Sequence, residues 1–128
     1  MYASIQDRQA SYSWLFRNCG RLGGLIVMAA WVVLAGNEFY RQGLPAPESY
    51  AQGAALAIVF AGYVIGWRKE MLGGVLAVAG TLAFIVLHVA VFKELPRPGV
   101  AWFAAPGVFY MLARSLDEHR GDEVARPQ

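Results

Sequence analysis

Charge is scarce in this chain. Only 16% of its 128 residues are Asp, Glu, Lys or Arg, where a soluble domain carries about 25%. Four stretches hold none at all: Leu22 to Asn37, Ser49 to Trp67, Met71 to Phe92 and Pro98 to Ala113. That absence argues against an ion or proton pathway, which needs ionisable groups at membrane depth. The single cysteine, Cys19, excludes an internal disulfide. It reads as a small packing residue, with lipidation of a juxtamembrane cysteine as the alternative. Histidine occurs twice, at His88 and His119, and His119 lies in a polar tail. Haem held by two histidines is thereby excluded, and no ligand set has zinc spacing. Ser49 and Thr81 have no histidine near them in sequence to form a nucleophile–base pair. Gly23-Gly24 and Gly73-Gly74 follow no strand and make no phosphate loop. A net charge of +2 is too small to point to nucleic acid. The expectation is a non-enzyme with no catalytic residue, cofactor or metal ligand.

What is present is apolar length. Hydrophobic residues make up 57% of the chain. Crossing a hydrocarbon core of about 30 Å takes roughly 20 helical residues, and the run from Met71 to Phe92 meets that alone. The sequence therefore predicts an all-α integral membrane four-helix bundle. Residues 1–19 form a cytoplasmic N-terminal segment, 20–116 the four transmembrane helices and 117–128 a polar C-terminal tail, disordered from Gly121. Within the first segment, residues 1–16 suggest an interfacial helix with Ile5, Tyr12, Leu15 and Phe16 on one face. The first run reads as a retained span rather than a cleaved signal, because a long segment precedes it. It extends through Phe39 and Tyr40. The fourth run carries Pro106 in its middle, which predicts a kink.

Basic residues set orientation. Four spans put both termini and the Arg68-Lys69 turn on one side. That side holds Arg8, Arg17, Arg21, Arg68, Lys69, Arg114, Arg120 and Arg126, and the other holds Arg41, Lys93 and Arg97. Eight against three places both termini in the cytoplasm, the membrane being the bacterial inner membrane. Aromatic residues gather at the span ends, while Trp31 lies deeper and is expected between helices. The short Arg68–Glu70 connection makes the second and third spans antiparallel neighbours. Pro45-Ala46-Pro47 favours an extended course.

The chain also repeats itself. Leu22-Gly23-Gly24-Leu25 returns as Leu72-Gly73-Gly74-Val75, and Leu44-Pro45-Ala46-Pro47 as Leu95-Pro96-Arg97-Pro98. Tyr63 and Tyr110 correspond roughly. This pattern suggests two tandem helical hairpins, residues 20–66 and 70–113, as a parallel internal repeat. Gly20 with Gly24, and Gly62 with Gly66, are spaced as helix-packing pairs, and Gly73 opens the third span. Gly53-Ala57-Ala61 continues the small-residue spacing.

Two polar features stand out. His88 sits one turn before the end of the third span, and the repeat aligns it with Glu38. A Glu38–His88 pair would tune or relay a proton; otherwise His88 is an interfacial side chain satisfied by backbone, lipid or water. Arg68-Lys69-Glu70 reads either as a topology signal or as a contact for acidic lipid headgroups.

The stretch Gly66-Trp67-Arg68-Lys69-Glu70-Met71-Leu72-Gly73-Gly74, with Phe84, a proline-containing turn and Phe103-Ala104-Ala105-Pro106-Gly107, resembles a family of small four-helix bacterial membrane proteins, a domain of unknown function. The likeness covers residues 20–116 and implies the same four-helix fold. No activity or catalytic residue comes with it. The functional expectation is an accessory or structural component of a membrane assembly, embedded in the lipid bilayer with a membrane-protein partner or as a homo-oligomer. The alternative is a small oligomeric transporter or channel. In span number and length the chain is similar to small multidrug exporters, but Glu38 lies at a span end, where theirs is within the first helix.

Overall fold

Among the first 42 residues nothing breaks a helix, since the first proline is Pro45. The computed structural model, which describes residues 2–125 (side chains at 2, 3, 6, 123 and 124 aside), accordingly forms one long α1, Tyr2–Gln42. Then come α2 (Tyr50–Gly66), α3 (Glu70–Phe92) and α4 (Ala105–Ala125), with 3-10 turns at Pro47–Ser49 and Pro98–Phe103. No strand occurs among the described residues. At 41 residues, α1 is about 60 Å long, roughly twice a hydrocarbon core. The segment expected as an interfacial helix is helical from Tyr2. That segment continues the first apolar helix without a break at residue 19.

The fourth run also differs from expectation. Residues Pro98–Phe103 wind as a 3-10 helix and α4 begins at Ala105. Pro106 falls in the first turn, where its missing N–H costs no intrahelical bond. It starts α4 rather than kinking it. Three segments are long and apolar enough to cross a membrane: Asp7–Gln42, Pro47–Gly66 and Glu70–Phe92. The apolar part of α4 ends at Ala113. Beyond it α4 carries an Arg114 Nε to Glu118 ion pair of 2.9 Å, and from Gly121, where disorder is expected, the chain stays helical as far as Ala125. Residues 126–128 of the C-terminal tail lie outside the described residues.

Two of the loops share a local geometry. α1 is followed by Gly43, φ +79°, and α3 by Lys93, φ 59°; each donates its N–H to the carbonyl four residues back, at 2.9 Å. Ala46 (φ −61°, ψ 147°) and Arg97 (φ −56°, ψ 145°) are both extended, and each precedes a proline that opens a 3-10 turn.

The tightest pairs are α2 with α3 and α1 with α4, with α3 also against α4; α1 touches α2 only lightly. The core is small. Val59, Tyr63 and Ala77 are buried at its centre, with Val27, Met28, Phe60 and Phe103 packed around them. Trp31 meets Phe60 edge-on, with centroids 5.6 Å apart. Most large apolar side chains face outward instead: Ile26 is 68% exposed, Val33 70% and Val86 65%.

Candidate functional site

Glycines let the helices close. A Cβ on Gly62 would stand 2.7 Å from the Ala77 nitrogen and 2.8 Å from the Gly73 carbonyl oxygen. One on Gly73 would land on the backbone of Gly66 and Gly62, and one on Gly74 2.6 Å from the Gly107 oxygen. Gly24 receives the Tyr63 ring, while Gly20 and Gly66 receive that of Tyr110. Both phenols are then used structurally. Tyr63 Oη donates to the Phe103 carbonyl, where the 3-10 turn ends, and Tyr110 Oη donates to the Tyr63 carbonyl at 3.3 Å. Gly53 departs from the expected pattern, with nothing within 4 Å of its Cβ position. Ala57 and Ala61, which share its spacing, are exposed as well.

Where α2 turns into α3, charges from three helices meet. Arg17 of α1 pairs through Nε with Glu70 Oε1, the first residue of α3. Its Nη2 lies 3.3 Å from Glu70 Oε2 and 2.6 Å from Asp117 Oδ2 of α4. One turn along α1, Arg21 Nη2 donates to the Trp67 carbonyl at 3.1 Å, at the C-terminal end of α2, where a cation opposes the helix dipole. Phe16 stacks on Phe109, with centroids 6.0 Å apart, and holds α1 against α4 beside the ion cluster. An open cleft of about 510 Å³ lies here, lined by Arg17, Arg68, Lys69, Glu70, Met71, Leu72 and Arg114. Sequence reasoning singled out Arg68, Lys69 and Glu70 but missed Arg17 and Asp117. Glu70 is 53 positions from Arg17, and Asp117 is 100, so no local spacing could reveal the cluster. The only local sign was an acid opening a helix.

His88 and Glu38 lie on different helices, α3 and α1. Glu38 is exposed near the end of α1, which packs on α4 and α2. No hydrogen bond or ion pair joins it to His88 among the described residues. The His88 ring instead lies along its own helix between Phe84, at 6.1 Å, and Phe92, at 4.9 Å, with Nδ1 buried and unpartnered. Gln52 Nε2 is likewise buried without a partner. His88→Gln should therefore leave the fold intact, with thermal unfolding in detergent showing a change under about 1 kcal/mol. Loss of assembly in that variant would assign the ring more than a packing role. Among the described residues, no group of three His, Cys, Asp or Glu side chains could hold a metal ion.

Compared with known proteins, the chain matches no protein-family model, and no curated protein and no solved structure matches it significantly.

Proposed function

We propose that this chain is a multi-pass integral membrane protein without catalytic activity, serving as an accessory or structural component of a membrane assembly. The observation that carries the reading is the direction its apolar side chains face. Only 11%, 33% and 17% of the most apolar stretch of the three long segments is buried within the fold. A surface of that kind requires lipid or a partner protein to cover it. The buried hydroxyls of Tyr63, Tyr110 and Thr81 are spent on backbone carbonyls, which fits packing rather than chemistry. The outward-facing small residues Gly53, Ala57 and Ala61 suit close approach by another membrane helix.

Four crossings follow if the 3-10 helix Pro98–Phe103 and the apolar first half of α4 together form the last one. At about 2.0 Å and 1.5 Å per residue these two pieces reach roughly 25 Å. The matched loop geometries at Gly43 and Lys93, and at Ala46 and Arg97, favour an internal duplication of two hairpins. The basic-residue bias puts both termini in the cytoplasm of a bacterial cell, beneath the inner membrane. Reporter fusions at Gln128 and near Ala46 should read as cytoplasmic and external, respectively. The opposite result at either position would overturn this topology.

Purification in mild detergent, followed by identification of what accompanies the protein, tests the function. A stoichiometric membrane-protein partner is the expected result. A homo-oligomer with no partner would instead favour a small oligomeric transporter or channel.

A further inference from the structure

The cleft where α2 turns into α3 carries more positive charge than its own carboxylates neutralise. Arg17, Arg68, Lys69 and Arg114 line it against one acid, Glu70. Glu70 is held by Arg17, whose other arm takes Asp117 from α4. Arg114 is paired only with Glu118, and that pair is exposed. Arg68 and Lys69 are exposed and have no carboxylate partner among the described residues. Two adjacent cations on a tight turn, with a third from α4 facing the same space, form a receptor for a phosphate oxygen cluster.

The neighbouring side chains narrow the class of anion. Met71 and Leu72 line the same cleft, 51% and 47% exposed. They continue onto α3, whose apolar face runs away from the charged end. A free anion has no use for that continuation. A lipid has, because its acyl chains would lie along the helix while its headgroup occupies the cleft. At about 510 Å³ the space has room for a glycerophosphate headgroup.

We propose that this cleft binds the phosphate of an anionic phospholipid, with Arg68 and Lys69 as its principal contacts and Arg114 closing the α4 side. The assignment rests on the membrane reading above, since it places the cleft at the level where α2 and α3 leave the hydrocarbon core. Glu70 keeps Arg17 turned toward the helix junction, so that Arg17 frames the site rather than reaching for the ligand. Net attraction to an anionic leaflet grows with each basic residue near the surface, and here the turn concentrates two of them.

The test uses the full chain purified in detergent, with phosphatidylglycerol, phosphatidylcholine or inorganic phosphate titrated separately. Native mass spectrometry reads bound lipid and thermal unfolding reads stability. Phosphatidylglycerol is expected to give a retained one-to-one adduct and a raised unfolding temperature, and phosphatidylcholine neither. Arg68→Gln/Lys69→Gln should weaken the phosphatidylglycerol adduct at least about ten-fold. Arg41→Gln/Arg97→Gln, at the opposite end, should leave it unchanged. Arg114→Gln supplies an independent reduction should the first double variant not fold. Equal loss in both double variants would overturn the site in favour of general charge attraction. Stabilisation by inorganic phosphate equal to that by phosphatidylglycerol would overturn the lipid in favour of a free anion. Release of the wild-type protein from membranes by alkaline carbonate would refute the membrane reading instead, a result separate from either binding outcome.

Discussion

Gly73→Leu is expected to dismantle the α2–α3 pair, lowering stability in detergent by about 3 kcal/mol or more. The reason is geometric. The Cβ position of Gly73 falls on the Gly66 backbone and lies 2.5 Å from the Gly62 oxygen. No flexible side chain is there to swing aside, so one helix must move away from the other. That movement would also open Gly62 against Ala77 and Gly80 against Val59, because these contacts lie on the same pair of helices. The cost is not recovered by added apolar area. In lipid or detergent a leucine gains little by burial, and association depends on close packing. Gly53→Leu is the control, since nothing lies within 4 Å of that position. It should unfold like the wild type as an isolated monomer. A Gly73→Leu protein with unchanged thermal unfolding would refute the packing scheme.

Those two glycines show how far the sequence could be read. Both sit at small-residue spacing in apolar runs, and spacing alone does not tell which one faces a neighbour. α2 and α3 were legible because charged residues bracket them, and the α2–α3 turn because Arg68–Glu70 leaves no room for another path. Pro106 was ambiguous for a physical reason. Proline is tolerated both at a kink and in a first turn, and the uncharged run from Pro98 to Ala113 carries no mark of where the 3-10 helix gives way to α4. The continuity of α1 was obscured by its charges, which suggested a surface segment. In the structure that segment has α4 to pack against: Ser13 is buried and Arg17 pairs with Asp117 of α4, while Asp7, Arg8 and Ser11 stay exposed. No hydrogen bond or ion pair joins Glu38 to His88 among the described residues. A repeat offset aligns positions in sequence, whereas α1 packs chiefly on α4 and α3 chiefly on α2. The charged cluster was out of reach altogether, since its three members come from three separate helices.

That cluster carries the second large effect. Arg17→Gln is expected to destabilise the protein by about 2 kcal/mol, between the range for an exposed ion pair and that for a buried one. The side chains are intermediate in exposure: 30% for Arg17, 13% for Glu70 and 28% for Asp117. Removing the guanidinium leaves the Glu70 and Asp117 carboxylates without their hydrogen-bonded cation, and Glu70 is the more desolvated of them. Arg17→Lys should restore only part of the loss. An ammonium is a point charge and cannot hold Glu70 with one edge while reaching Asp117 with the other, as the planar guanidinium does. Glu70→Gln alone should cost less, because Arg17 keeps Asp117. The double variant Arg17→Gln/Glu70→Gln should then be more stable than the sum of the single losses predicts, since it removes the orphaned carboxylate as well as the cation. Chemical unfolding of the wild type, the two single glutamine variants and the double variant in one detergent measures this coupling directly. Strictly additive losses would mean that Arg17 and Glu70 act independently, leaving Arg17–Asp117 and Phe16 on Phe109 to join the helices at this end.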